Sequence, residues 1–422
     1  MNRTSGILKI TLGSLFGLAL TACATSPNGL GADGSEAALD VAEIHTAAIV
    51  IDAHADIALP ETSPLYLGSD GLSKVALAKI SAGEMDVVLM SLAAGPQPRT
   101  ELGRTAAYEE AIAKLSTIQA TVENSSDALA FAVTSAGIRE NIEAGRISIL
   151  LSLQNVQLLE NDLSRLDMFH EAGVRVYGLN HIGHNDFSDS SRPRFDGETG
   201  AYEVTEEHGG LSQLGRDAVT RIGELGGIVD VSQMSKAATL ETIVLSNAPV
   251  IASHSNVKTL SDVTRNLSDE EIDRIGETGG VIHIAAFSAY LVDLSDPVLL
   301  ERILKVRTDA GLPEAYSYPF ELYWELETQE EKLIFLGNMR ELVGREDVAR
   351  MVDHIDYVVA RIGIEHVGIG TDFNHGGGIV GFEEADSAAN VTAELVARGY
   401  TAEQINMIWG ENFLRVLDQA TN

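Results

Sequence analysis

Cysteine is almost absent from this chain, since Cys23 is the only one among 422 residues. A single cysteine excludes an intrachain disulfide and a zinc site built from several thiolates. Basic residues are also scarce, with 29 Lys and Arg against 62 Asp and Glu, and the formal net charge is −33 at pH 7. Such a charge repels polyanions, so we expect no nucleic acid partner.

Long apolar stretches are scarce as well. The first one, at residues 10–20, is too short to cross a membrane comfortably. It follows the basic Arg3 and Lys9 and leads into Leu20-Thr-Ala-Cys23, an order that is typical of a secretory signal. The last four residues resemble the lipobox of bacterial lipoproteins, and this resemblance implies lipidation of Cys23. The alternative is an ordinary secretory signal that is cleaved off.

Residues 24–40 are rich in Gly, Ser, Ala and Asn, a composition that predicts a flexible tether after the signal at 1–23. A lipidated Cys23 would hold the remaining chain at the membrane through that tether. We therefore expect the protein in the cell envelope, on the periplasmic face of a bacterial membrane.

The rest of the sequence alternates apolar runs with amphipathic stretches. Eight apolar runs have the length and composition of buried parallel strands, at residues 48–53, 86–91, 147–153, 174–179, 227–231, 250–253, 280–285 and 367–371. The stretches with helical periodicity include 101–119, 163–171, 211–225, 269–277, 346–362 and 401–419. Eight strands alternating with helices predict a (β/α)8 TIM-type barrel at 41–422, with its chemistry at the carboxyl ends of the strands. An open doubly wound sheet is the alternative.

Residues 288–344 interrupt this alternation, being charged and locally aromatic. A long segment after the carboxyl end of a strand predicts an insertion on the catalytic face, either a lid or an oligomer contact. An ordinary pair of helices packed outside the barrel is the alternative.

Polar side chains follow nearly every predicted strand. The first run leads into His54 and Asp56, and the period of two in a strand places these two side chains on the same side. An imidazole and a carboxylate that converge in this way are typical metal ligands. The other polar residues at strand ends are Gln154, Asn155, His181, His184, Asp186, Ser232, Gln233, His254, His283 and Asp372. Because buried polar groups must be satisfied, their repetition from strand to strand predicts a functional cluster.

In these segments the chain resembles the membrane dipeptidase (renal dipeptidase) family of zinc metallopeptidases, which belongs to the amidohydrolase-like barrels. The resemblance is carried by residues 51–56, 153–154, 178–181, 229–235, 249–255, 265–266 and 367–373. It implies a two-zinc site at which metal-activated water attacks the amide of a dipeptide. In that site His54 and Asp56 would hold one zinc and His254 would help to hold the other.

The resemblance also implies roles for residues that contact the substrate. His181 would stabilise the oxyanion, and Asp372 would contact the free amine and pass a proton to the leaving nitrogen. Arg265, with Asn266 beside it, would bind the terminal carboxylate of the dipeptide. A homodimer is a further expectation from the family.

The chain departs from the family at two metal positions. Gln154 stands where the best-known members have a bridging Glu, and Gln233 stands where they have a His. A neutral amide is a poor zinc ligand, so two dications would face a single matched carboxylate, that of Asp56. We therefore expect one zinc, and a second site that is weak or is rebuilt from residues near the matched positions, of which the candidates are His184, Asp186 and His375.

Three functions follow from these residues. The first is a zinc-dependent dipeptidase-like hydrolase outside the cytoplasm. The second is a catalytically impaired lipoprotein that binds small peptides, and the third is a hydrolase of another amide or a lactone that uses one metal. Metal content and turnover distinguish the three.

Overall fold

Parallel strands alternate with helices along most of the chain, in a computed structural model that describes residues 40–196, 199–316, 318–323, 326–344 and 346–421. The strands are β1 (Ile51–Asp56), β2 (Val87–Ala93), β3 (Leu129–Phe131), β4 (Ile147–Gln154), β5 (Val174–Gly178), β6 (Phe195–Asp196), β7 (Ala201–Tyr202), β8 (Ile228–Asp230), β9 (Ile251–Ala252), β10 (Val281–Ala285) and β11 (Val367–Gly370). The predicted signal with Cys23 and the tether up to residue 39 lie outside the described residues.

Eight of these strands form one parallel sheet in the order β1-β2-β4-β5-β8-β9-β10-β11. The sheet closes on itself, because the Asp372 amide donates to the His54 carbonyl (2.9 Å) and the Asp56 amide donates to the Phe373 carbonyl (3.0 Å). Each of the eight predicted runs overlaps one of these strands, and the predicted (β/α)8 barrel is confirmed. The short β3 pairs with the start of β4, and β6 and β7 form a separate hairpin.

The helices follow the strands as the outer layer of a barrel requires. They are α1 (Val41–Ala47), α2 (Leu77–Ala82), α3 (Glu101–Asn124), α4 (Ser135–Glu143), α5 (Ser164–Glu171), α6 (Gln213–Glu224), α7 (Lys236–Leu245), α8 (Asp269–Glu277), α9 (Ser288–Leu291), α10 (Pro297–Asp309), α11 (Gln329–Val343), α12 (Val348–Ile362), α13 (Ala389–Ala397), α14 (Ala402–Asn406) and α15 (Asn412–Thr421). The stretch expected to be one helix at 401–419 is divided, because a π-helical turn (Met407–Glu411) separates α14 from α15.

In the part of the chain that the structure describes, every helix is too short or too polar to cross a membrane.

Helix α15 covers one end of the barrel interior. Its Phe413, Leu414, Val416 and Leu417 pack against inward-facing strand residues, which include Ile51, Val87, Leu89, Leu150, Val176, Ile228, Ile251 and Val281. Burial of one such side chain stabilises the fold by about 1.5–3 kcal/mol. Most of these strand residues lie towards the amino ends of their strands, so the apolar interior is opposite to the polar residues at the carboxyl ends.

The segment expected to be an insertion contains α9, α10 and α11, between β10 and α12. It forms an apolar cluster of its own around Tyr290, Ile303, Phe335 and Met339. It is therefore folded as a small helical layer with a separate core.

His354 on α12, in the outer helices of the barrel, makes the stability of the fold depend on pH. Its side chain is fully buried, and its Nδ1 accepts a hydrogen bond from the Val257 amide (3.1 Å). Burial lowers the pKa of His354 to about 3, whereas an unfolded His titrates near about 6.5. The unfolded chain thus binds the proton more tightly, and the stabilisation from neutral His354 is present above pH 6.5 and is lost as the pH falls towards 3.

We expect the free energy of unfolding to fall by about 2 kcal/mol between pH 6.5 and pH 5 because of His354 alone. In the variant His354→Asn, an amide oxygen can still accept from Val257 but cannot titrate, so this part of the pH dependence should disappear. Urea unfolding at pH 8, 6.5 and 5 measures it. If the free energy of unfolding depends on pH in the same way in the wild type and in His354→Asn, His354 is not the source of this pH dependence.

Candidate active site

A cavity of about 380 Å³ lies at the carboxyl ends of the strands. From the barrel, its wall includes Gln154, His181, Gln233, Asp372 and His375. From the segment after β10, it includes Tyr290, Tyr318, Phe320, Tyr323, Leu336 and Arg340. Polar residues that the sequence predicts at separate strand ends therefore meet in one cavity, and aromatic side chains of the following segment form another of its walls.

Two groups of buried side chains lie close enough together to hold a metal ion. One consists of His54, Asp56 and Asp372, and the other of His54, Asp230 and His254. Within each group, the candidate ligand atoms are within 4.8 Å of one another. The imidazole rings of His54 and His254 are stacked with their centroids 3.9 Å apart. The structure thus brings together the predicted ligands His54, Asp56 and His254 and adds two aspartates to them.

The Asp56 carboxylate has two basic neighbours. Lys114 Nζ lies 3.4 Å from Oδ1, and His375 Nδ1 lies 3.2 Å from Oδ2. Burial opposes ionisation of Asp56, but Lys114, and after it His375, hold the pKa of this carboxyl below its ordinary value. Lys114 is itself buried and also donates to the Ala93 carbonyl (2.6 Å). Asp56 is therefore ionised, with one positive charge already beside it.

Asp372 lies two residues after the end of β11 and, in the described chain, lacks such a neighbour. Among the described residues, no Lys, Arg or His nitrogen lies within 4.0 Å of its carboxylate. Burial raises the pKa of Asp372 above its ordinary value. Two buried carboxylates, Asp56 and Asp372, and the imidazole of His54 together form a donor set that suits a divalent cation such as zinc.

Asp230 has a different environment from Asp56 and Asp372. Its Oδ1 accepts hydrogen bonds from the amides of Ser232 and Ser253, each at 2.9 Å, and its Oδ2 accepts from the Ser253 hydroxyl at 2.5 Å. The Ser253 hydroxyl oxygen in turn lies 2.7 Å from Nδ1 of His254. Since the hydroxyl donates to Asp230, it accepts from Nδ1–H of His254. Asp230 therefore orients His254 through Ser253.

Gln154 and Gln233, the two glutamines that the sequence comparison predicts at metal positions, both face the other nitrogen of His254. Gln154 Nε2 is 3.3 Å and Gln233 Nε2 is 3.2 Å from Nε2 of His254. Burial lowers the pKa of His254 well below its ordinary value, so the ring is neutral. With its proton on Nδ1, the ring presents the lone pair of Nε2 to the two amides. Nε2 of His254 is therefore in contact with the amides of Gln154 and Gln233.

The backbone is strained at two residues of this cavity. Gln233 has a φ of 67° and Asp372 a φ of 57°, both in the left-handed region. For a residue with a side chain, this region costs roughly 1–2 kcal/mol. Such residues cluster at functional sites, where the surrounding structure holds them in place.

The remaining predicted site residues lie around this centre. His181 lines the cavity, and burial lowers its pKa well below the ordinary value. Arg265 Nη1 donates to the His254 carbonyl (2.6 Å), and its guanidinium lies 4.0 Å from the ring centroid of Tyr290. Asn266 does not line the cavity, because its side-chain amide donates to the Ser261 and Tyr290 carbonyls.

Of the three residues considered for a rebuilt second metal site, only His375 reaches the centre. His184 is held by backbone groups at both ring nitrogens, and Asp186 pairs with Arg104 at 2.9 Å. His375 lies 3.2 Å from Asp56, but in the described chain none of the three residues belongs to a group that could hold a metal. His283 bonds to the Ala252 carbonyl and packs against Phe413, as a buried core histidine does.

Comparisons with known proteins agree with this architecture. A model of the membrane dipeptidase family, peptidase family M19, matches residues 39–422. The structure resembles the crystal structure of the probable dipeptidase PvdM from Pseudomonas aeruginosa with a TM-score of 0.79 and 32% identity, over 90% of this chain and 97% of that one. Among curated proteins, dipeptidase aclJ of Aspergillus oryzae is 29% identical over 65% of this chain, and dipeptidase tcpJ of Claviceps purpurea is 28% identical over 74%. The matches span 51% and 60% of the lengths of these two relatives.

Proposed function

The chain belongs to the membrane dipeptidase family of metallopeptidases, peptidase family M19, and on that premise we propose that it is a zinc-dependent dipeptidase that cleaves the amide bond of small dipeptides. The observation that carries the proposal is the buried group of His54, Asp56 and Asp372 at a cavity of about 380 Å³. Cavities of about 300–1,000 Å³ are typical of small-molecule sites.

A zinc ion held by His54, Asp56 and Asp372 would polarise the amide carbonyl and bring the pKa of water close to neutral. Neutral His181 lines the same cavity, and an N–H of its ring can donate to the carbonyl oxygen as negative charge develops there. As a ligand of the zinc, Asp372 would be ionised, and its other carboxylate oxygen would be available to accept a proton from the attacking water and pass it to the leaving nitrogen.

Arg265 is suited to the terminal carboxylate of a dipeptide. Its Nε and Nη2 have no hydrogen-bond partner in the described part of the chain, although the side chain is buried. Guanidinium and carboxylate groups form strong paired hydrogen bonds. A ligand with a free carboxylate would satisfy these nitrogens, whereas a neutral ligand would leave them unpaired.

We propose one zinc ion per chain rather than two. The amides of Gln154 and Gln233 occupy Nε2 of His254, and Lys114 adds a positive charge beside Asp56. A second dication in this partly dry cavity would face too little negative charge.

Metal analysis and a dipeptidase assay test the proposal together. We expect about one zinc per chain and hydrolysis of dipeptides from an L,L and L,D panel that a chelator abolishes and added zinc restores. No turnover of any dipeptide with any divalent metal would refute it. Bound peptide without stoichiometric zinc would instead support a peptide-binding lipoprotein, which the two glutamines favour. Turnover of another amide or a lactone alone would support the one-metal hydrolase.

We also propose that Cys23 is lipidated and that the enzyme acts at the cell envelope. The support is the sequence Leu20-Thr-Ala-Cys23 after a basic start and a short apolar run. Fractionation of the cells used for the assay tests it, since Cys23→Ala should release the activity from the membrane fraction. If the activity stays in the membrane fraction both in the wild type and in Cys23→Ala, the proposal is wrong.

A further inference from the structure

Two buried arginines lack a close acidic partner in the described chain, one on the cavity wall and one behind Tyr290, which lines the cavity. Arg192 lines the cavity and is 3% exposed, and Arg265 is 2% exposed. Among the described residues, no carboxylate lies within 4.0 Å of either guanidinium. Nε of Arg192, and Nε and Nη2 of Arg265, have no hydrogen-bond partner there. Burial of an unpaired charge destabilises a protein. A bound anionic ligand would therefore stabilise both guanidinium groups.

Each guanidinium is held against a tyrosine of the segment after β10. Arg265 lies 4.0 Å from the ring centroid of Tyr290, and Arg192 lies 4.2 Å from that of Tyr318. The two rings are neighbours with centroids 6.3 Å apart. A cation–π contact offsets only a small part of the free energy lost when a charge is buried. It does fix the plane of the guanidinium, and it leaves the N–H groups at the edge of that plane available for hydrogen bonds.

The proposed dipeptide satisfies only one of these two arginines. Its amine faces Asp372 and its terminal carboxylate faces Arg265, while Lys114 is already paired with Asp56. Arg192 contacts Tyr318 and Tyr290, and the charges of Glu321 and Asp372 act on it from a greater distance, but in the described chain no acidic side chain is in direct contact with it. A substrate that carries a second anionic group would remove this imbalance.

We propose that the preferred substrate is a dipeptide whose C-terminal residue has an acidic side chain, with its terminal carboxylate on Arg265 and its side-chain carboxylate on Arg192. This inference rests on the dipeptidase function proposed above. The acidic side chain belongs to the C-terminal residue because the two arginines stack on adjacent tyrosines, and a side-chain carboxylate of that residue is close to its terminal one. An acidic side chain on the N-terminal residue would instead lie near the amine, at the end of the dipeptide that faces Asp372.

The experiment compares substrates that differ only in charge, Ala-Asp with Ala-Asn and Ala-Glu with Ala-Gln, on the zinc-loaded enzyme. We expect kcat/KM to be at least about 30-fold higher for the acidic member of each pair, since removing one partner of a buried charge pair has effects of this size. In Arg192→Met the ratio should fall to within about threefold of one, and Arg192→Lys should keep part of it. Asp-Ala and Asn-Ala test the position of the acid and should be hydrolysed with similar kcat/KM.

A ratio near one in the wild type would overturn the inference, and so would an undiminished ratio in Arg192→Met. Should Arg192→Met fail to fold in a thermal unfolding assay, Tyr318→Leu provides the second variant. It removes the ring under the guanidinium and should lower the acidic preference, whereas an unchanged preference would count against the assignment.

A binding measurement separates this inference from the proposed function. If no dipeptide is hydrolysed, the dipeptidase proposal fails, but calorimetry with Ala-Asp and Ala-Asn still tests Arg192. Tighter binding of Ala-Asp that Arg192→Met abolishes would support the acidic site in a binding protein. Equal binding of the two peptides would overturn it.

Discussion

Replacing Asp56 by Asn should remove the bound zinc and lower kcat/KM for dipeptide hydrolysis by at least about 10³-fold, because changing even an outer partner of a metal ligand costs about 10–100-fold. Asp56 belongs to the group with His54 and Asp372, and it is ionised through Lys114 and His375. An asparagine of the same shape keeps the packing but removes the negative charge that the cation requires. Metal content after gel filtration and steady-state kinetics measure both effects.

Asp186→Asn is the matched control for Asp56→Asn. It makes the same Asp-to-Asn change at a residue that follows another strand of the barrel. Asp186 pairs with Arg104 and belongs to neither of the two groups that could hold a metal. Zinc content and kcat/KM should stay near the wild-type values. Full zinc occupancy in a folded Asp56→Asn protein would exclude Asp56 as a ligand, and the group identified at the cavity would then have to be abandoned.

The double variant Gln154→Glu, Gln233→His should bind two zinc ions per chain where the wild type binds one. The substitutions replace the two amides on Nε2 of His254 by a carboxylate and an imidazole, which are good zinc ligands. They also add one negative charge to balance the second cation. We expect the affinity for the second zinc to rise by about 10³-fold or more, since each ligand contributes several kcal/mol to a site. Calorimetric titration of the metal-free protein measures it.

Gln157→Glu is the control for the added charge. Gln157 is another buried glutamine, but its amide donates to the Gln97 and Pro98 carbonyls rather than to His254. This variant should still bind one zinc. A wild type that already holds two zinc ions, or a double variant that holds one, would show that the two glutamines do not determine the metal number.

The barrel, and the position of His54 and Asp56 at the carboxyl end of its first strand, could be predicted because both depend on local patterns. A parallel barrel strand is buried on both faces, so its sequence is a short apolar run, and the residue pair His54 and Asp56 follows such a run. The limits of β1 were placed too early. The strand continues through Asp56, because hydrogen bonds to the chain beyond β11 extend it past the apolar residues.

Other site residues depend on contacts between distant segments, and the sequence contains no local sign of them. Lys114 lies on α3, where a lysine between apolar residues indicates a solvent-facing position, yet it is buried against Asp56. Arg192 lies in a connecting segment, and its role follows from a tyrosine more than a hundred residues later. Asp230 is different, because Asp230 and Ser232 at the end of β8 repeat the spacing of His54 and Asp56, and the same argument would have found it.

The position of α15 determines when the protein can complete its fold during synthesis. Phe413 and Leu417 fill the amino end of the barrel, and they lie downstream of all eight barrel strands. A ribosome must therefore translate every strand before the residues that cover this end exist. Until then the nascent barrel exposes a ring of Val, Ile and Leu to water, a surface that chaperones recognise and that promotes aggregation.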